Sequence, residues 1–124
     1  MTRKEQTGKR DLEFSGWVRS NLPDSSGGFA ASDLDFILWN WKTKRVMMLE
    51  IKTMCASLRP FQRMMFENIE RWIRQGIDDS WVFYGFHFLV FEKLSFDSGK
   101  AWLDNVLITE KEAIEYFSMD NKLF

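Results

Sequence analysis

The stretch Ser32-Asp33-Leu34-Asp35-Phe36-Ile37-Leu38-Trp39, followed after a polar turn by Arg45-Val46-Met47-Met48-Leu49-Glu50-Ile51-Lys52-Thr53, decides the fold. It reads as two apolar strands joined around Lys42-Thr43-Lys44, a hairpin. The first strand carries two acids at its start. The second carries an acid and a lysine at its end, so pairing brings these charges together.

Counting decides whether they share a face. Side chains alternate along a strand, and directly opposed residues of an antiparallel pair project to the same side. If Asn40 pairs with Arg45 across a four-residue loop, Asp35 opposes Glu50 and Asp33 opposes Lys52. Opposed Cβ atoms lie about 4.5–5.5 Å apart. A slip of one residue would place Ile51 opposite Asp35 and scatter the cluster. Three carboxylates and an ammonium at the rim of an apolar hairpin are costly to desolvate, and a divalent cation is their natural counter-ion. The purely structural alternative is a rim salt bridge, worth about 0–1 kcal/mol if exposed.

The chain has 124 residues, which suits one domain spanning 1–124 but is short for an enzyme that encloses its substrate alone, so a homodimer is expected. Hydrophobic residues make up 45% and aromatics 16%, with six Trp and twelve Phe, which excludes general disorder. A formal net charge of -1 argues against binding a polyanion by bulk electrostatics. Any nucleic-acid function must rest on a local site and its metal. One cysteine, Cys55, and the lack of a basic-then-apolar leader or a long apolar run point to a reducing, cytoplasmic setting with no membrane partner.

Residues 2–21 read as a helix, with Leu12, Phe14, Trp17, Val18 and Leu22 in an approximate 3.6-residue period and Arg10 and Arg19 among the basic residues elsewhere. Pro23 and Gly27-Gly28 mark a loop. Beyond the hairpin, residues 61–74 place Phe61, Met64, Met65, Ile69, Trp72 and Ile73 on a stripe expected to be core. Arg59, Arg63, Glu67, Glu70 and Arg74 are expected opposite it, with Gln62 at its edge on the line of Phe66. Residues 81–91 are apolar or aromatic at nearly every position, as in a strand covered on both faces in the middle of a sheet. His87 within that run is the chain's one histidine and is expected to be hydrogen-bonded in the sheet rather than a metal ligand. Residues 102–108 read as one short strand. Thr109 and Glu112 have capping-box spacing ahead of a last helix. The expected fold is α/β, a mixed sheet of four to five strands flanked by helices, in the order αββαββα.

Glu-x-Lys alone is a weak signal; the acid-x-Lys pattern recurs at Asp120-Asn121-Lys122. Only Glu50-Ile51-Lys52 ends an apolar strand, follows an acid-bearing strand and precedes an amphipathic helix. In that context the chain resembles the PD-(D/E)XK nuclease superfamily. Members share a helix, a three-stranded meander, a helix and a further strand. They carry an Asp on the second strand, Glu-x-Lys on the third, often a Glu in the first helix and a Gln in the next helix. The resemblance covers roughly residues 10–92. It implies Asp35 as the strand acid, with Asp33 its rival, Glu50 and Lys52 as Glu-x-Lys, Glu13 as the first-helix acid and Gln62 as the helix Gln. Pro23-Asp24 is followed by Ser and Gly rather than an apolar run and reads as loop.

The implied chemistry is metal-dependent hydrolysis of phosphodiester bonds, in DNA foremost. Mg²⁺ or Mn²⁺ would be held by Asp35, Glu50 and the Ile51 carbonyl, with Glu13 accessory. Lys52 would orient or deprotonate the attacking water, Gln62 would hold a ligand or phosphate, and Arg10, Arg19, Arg59 and Arg63 would contact nucleic acid. The alternative is a catalytically silent nucleic-acid- or protein-binding module on the same scaffold.

Overall fold

The structure, a computed structural model, describes residues 8–28, 30 and 32–120, and of residues 8–12 and 25 the backbone only. The chain falls into two compact units, Met1–Asp33 and Leu34–Phe124. The first holds helix α1 (Gly8–Asn21) and a single 3-10 turn, Ser25–Gly27. Phe14 stacks on Trp17 at 5.8 Å, and the Asn21 amide donates to the Trp17 carbonyl in the last turn. Asp24 accepts from the Ser26 hydroxyl and backbone N–H, bonds that hold its carboxyl below the usual range and confirm the loop reading of Pro23-Asp24.

The second unit is an open five-stranded sheet in the order β1-β2-β3-β4-β5, with strands β1 (Phe36–Asn40), β2 (Arg45–Lys52), β3 (Val82–Phe91), β4 (Ala101–Leu103) and β5 (Val106–Ile108). β1 and β2 pair antiparallel, Asn40 against Arg45 and Phe36 against Leu49, which is the register expected from counting. Asn40 makes the loop: its side-chain carbonyl accepts from the Lys42 and Thr43 N–H groups, and its amide donates to the Ser118 carbonyl at 2.9 Å. β1 begins four residues later than the apolar run suggests, because before Phe36 the acid side chains replace the backbone ladder.

β2 and β3 are parallel and joined by α2 (Pro60–Gly76), the kind of crossover that parallel neighbours require. β3 is central, as its apolar run implied. Its pairing slips once, Val46 facing Phe83 but Met48 facing Phe86, so Tyr84 and Gly85 together oppose Met47. Gly85 has φ +95, and a Cβ there would meet Arg74 Nη2 at 3.0 Å. This bulge puts Phe83, Phe86 and Phe88 on one face, under α2, and turns His87 to the other.

The helix stripe needs correction. The buried residue of α2 is Phe66, 4% exposed and stacked on Phe86 at 4.3 Å, while Phe61, Met64 and Trp72 are more than half exposed. Glu70 and Arg74, expected on the solvent side, reach the sheet instead. Glu70 accepts the Phe86 N–H at 2.9 Å, and Arg74 bonds both Glu70 and the Phe83 carbonyl. The bulge frees these backbone groups from the ladder, and a buried unpaired amide would cost more than turning the helix to serve it.

Residues 102–108 form two strands rather than one, so the order is αββαβββα. Asp104 and Asn105 both have positive φ, as a two-residue hairpin turn between Leu103 and Val106 demands. Helix α3 (Glu110–Ser118) carries the expected capping box, Thr109 Oγ1 accepting from Glu112 N–H and Glu112 accepting from Thr109 N–H. Phe117 of α3 packs with Leu38, Ile51 and Leu103 against the buried cluster of Leu49, Leu89, Phe91 and Ala101. α2 and α3 therefore lie on opposite faces.

His87 is hydrogen-bonded on the α3 side. Nδ1 faces the Asp104 carboxylate, and Nε2 lies 2.7 Å from the Tyr84 carbonyl and 3.0 Å from the Tyr116 hydroxyl. A carbonyl and a carboxylate both demand a donor, so the ring is held as imidazolium. Burial alone would depress its pKa, but the bonds to Asp104 and Tyr84 outweigh it and the pKa rises. The Tyr116 hydroxyl is pushed up by burial and then by the Asp104 charge.

Two measurements check this account. Gly85→Ala should cost about 1–3 kcal/mol in denaturant unfolding, since it puts a side chain at positive φ. Gly76→Ala, with nothing within 4 Å of the new Cβ, should be neutral or stabilising by up to about 1 kcal/mol. A raised histidine pKa contributes stability that is complete below the ordinary value near 6.5 and fades as pH rises through the raised one. Asp104→Asn should therefore destabilise more at pH 6 than at pH 9, read as the difference in Tm.

Candidate active site

Asp35 and Glu50 meet where the first unpaired turn of chain before β1 runs past the end of β2. The Asp35 N–H donates to Glu50 Oε1 at 3.2 Å, and the Ile51 N–H donates to Asp35 Oδ2 at 2.7 Å. Each carboxylate thus takes a backbone hydrogen from the opposite strand. The count that sets Asn40 against Arg45 also sets Asp35 against Glu50, and these two bonds continue the hairpin with side-chain oxygens.

Gln62 and Lys52 converge on the other Glu50 oxygen. Gln62 Nε2 donates to Oε2 at 3.0 Å, and Lys52 Nζ lies 3.5 Å from the same atom. Lys52 shares the Glu50 face because it lies two residues further along β2. Gln62 arrives in the first turn of α2, whose Pro60 starts the helix without needing an N–H there. That turn brings the positive end of the helix dipole against the carboxylates.

Glu50 is 3% exposed, an unusual burial for a carboxylate. Burial first, and then the neighbouring charge of Asp35, push its pKa up, against the lowering effects of the Asp35 N–H, Lys52 and Gln62. Burial and the Asp35 charge together outweigh the groups that favour its ionised form.

The oxygen donors here are the Asp35 and Glu50 carboxylates, with the Ile51 carbonyl on the same strand. Among the described residues no group of three His, Cys, Asp or Glu is placed to hold a metal ion. Two carboxylates and a carbonyl suit a hard cation that keeps several waters, and they lack the nitrogen or sulfur ligands of zinc.

The arginines divide. Arg63 lies over the ring of Phe88 at 4.9 Å, and Phe88 neighbours Glu50 in the β2–β3 register, so Arg63 borders the site. Arg59 caps α2 and is exposed. Glu13 and Arg19 are exposed on α1 in the first unit, as is Asp33 beyond it, and the Arg10 side chain lies outside the described residues.

Sequence reasoning missed the Glu70–Arg74 pair and the His87–Asp104–Tyr116 cluster, although both follow from polar residues spaced beside an aromatic strand. Tyr84 and Tyr116 also line an open cavity of about 840 Å³ with Met119, on the α3 side of the sheet. The cavity is on the opposite face from Glu50 and shares no residue with its cluster.

A carboxyl with a raised pKa stabilises the fold most below its unfolded value and loses that contribution as pH rises through the raised one. In EDTA at neutral pH, Glu50→Gln should raise Tm, because Gln keeps one acceptor oxygen for the Asp35 N–H, can donate its amide to the oxygen of a turned Gln62 side chain, and removes both the burial of a charge and the repulsion with Asp35. The gap should narrow as the buffer is acidified. A lower Tm for the variant, equal at pH 5 and 8, would instead make Glu50 a stabilising partner of Lys52.

Comparison with models of protein families, with curated proteins and with solved structures found no match to this chain.

Proposed function

We propose that this protein is a metal-dependent nuclease that hydrolyses phosphodiester bonds, DNA foremost, through a site of the PD-(D/E)XK kind. The observation that carries the reading is the convergence on buried Glu50 of Asp35, Lys52 and Gln62, each from a different segment. A structural ion pair needs only Glu50 and Lys52. A second carboxylate drawn against one whose pKa burial already raises is the arrangement of a cation site.

In this reading Asp35 and Glu50, with the Ile51 carbonyl, hold Mg²⁺ or Mn²⁺. When bound, the ion lowers the pKa of a water and offsets charge building on the phosphate. Gln62 fixes Glu50 Oε2 in place. Lys52 presents its donors beside that oxygen, where it orients the attacking water and stabilises the charged phosphorus centre. Arg63 and Arg59, with the N-terminal turn of α2, attract the phosphates on either side. Cutting both strands of a duplex would need two such sites held in fixed relation, the reason to propose a homodimer.

The family pattern has a three-stranded meander before the second helix, whereas two strands precede α2 here among the described residues. With only two carboxylates gathered, a silent binding module on this scaffold is the second reading.

Purified protein should cut DNA with Mg²⁺ or Mn²⁺ and not with EDTA. Glu50→Gln, Asp35→Ala and Lys52→Ala should each lower the rate by about 10²-fold or more while circular dichroism stays unchanged. A panel of linear, branched and single-stranded DNA and of RNA sets the substrate. Protein that binds members of this panel and cuts none establishes the binding module.

A further inference from the structure

The sheet face that carries Glu50 and Lys52 continues past them. Lys52 pairs with Val90, Val90 with Trp102, and Trp102 with Leu107, so these four form one row across β2, β3, β4 and β5. Residues opposed in register share a face, and Leu103 and Ile108 turn to the core under α3. The row is therefore on the side of Glu50 and α2. α2 covers that side at Phe86 and Phe88, through Phe66 and Arg63. Further along, Trp102 is half-buried and Leu107 is 59% exposed.

With strands about 4.8 Å apart, Trp102 lies about 10 Å from Lys52 across the sheet. The Lys52 ammonium, beside a pair of carboxylates suited to a cation, adjoins the half-buried Trp102 indole within the reach of one nucleotide and its neighbour. Charge at one end and a ring at the other match a nucleic-acid strand, phosphate at Lys52 and base at Trp102. A base inside a duplex has both faces covered by its neighbours, so only an unstacked base offers its face to a side chain.

We propose that Trp102, flanked by Val90 and Leu107, is a stacking platform for an unpaired base beside the scissile phosphate, so that the cut strand is single-stranded there, as in a flap, a loop or an open end. This rests on the nuclease reading for the phosphate and names the substrate class of the same site. It also lets a single copy act, since no second strand has to be cut.

The test is binding in a Glu50→Gln background, by anisotropy of a fluorescein-labelled oligothymidylate and of a blunt duplex of the same length. The single strand should bind more tightly. Trp102→Ala should weaken it by about tenfold, Trp102→Phe by about twofold or less, and neither should change duplex binding. Leu107→Asp, at an exposed position, should also weaken single-strand binding and keeps the test open if Trp102→Ala does not fold. Equal loss on both probes, no loss on either, or no single-strand preference overturns the platform. Hydrolysis is scored separately on wild-type protein with Mg²⁺. Single-strand binding that depends on Trp102 without any cutting keeps the base site and removes the nuclease.

Discussion

A carboxylate buried at the end of the second strand organises the second unit of this protein. Glu50 has two oxygens and three partners from separate parts of the chain. Oε1 receives the Asp35 N–H, and Oε2 receives Gln62 and the Lys52 charge. Removing a carboxylate from water is expensive, and the residue before β1, the end of β2 and the first turn of α2 each supply a partner for its lone pairs, offsetting part of that cost while its pKa stays raised. The same three segments must be brought together for a phosphate and a cation to be held at one point. One residue therefore sets both the local packing and the local chemistry.

The second constraint is the bulge at Tyr84-Gly85. Without it β3 would alternate unbroken, and His87 rather than Phe86 and Phe88 would face α2. The extra residue changes the phase of the strand, so aromatic rings lie under α2 beside Glu50 while the imidazolium joins Asp104 and Tyr116 on the α3 side. Glu70 and Arg74 take up the backbone groups that the bulge releases. The two faces of the sheet thus have separate polar clusters, one built around a buried acid and one around a half-buried imidazolium, with the apolar core of Leu49, Leu89, Phe91 and Ala101 under α3.

The β1–β2 end of the sheet differs from the middle. Trp39 meets Trp81 edge to face at 5.2 Å yet remains largely exposed, as does Trp41 in the loop. β1 is an edge strand, and its outward backbone groups lack a sheet neighbour among the described residues. Asn40 and Thr43 bind the loop to the last carbonyls of α3, which fastens this end without adding a strand.

The hairpin, its register and the meeting of Asp35 with Glu50 were legible in the residues because a strand has a period of two and a four-residue loop leaves one way to close it. The capping box of α3 and the central place of β3 were legible for the same reason, each resting on a pattern a few residues long. The buried face of α2, the division of residues 102–108 at Asp104-Asn105, the reach of Glu70 to the sheet and the partners of His87 were not. Each of these depends on a contact made across the fold, and the bulge that decides most of them changes no local periodicity until β2 and β3 are laid side by side. Pattern set which acids could meet; pairing between distant strands decided what surrounds them.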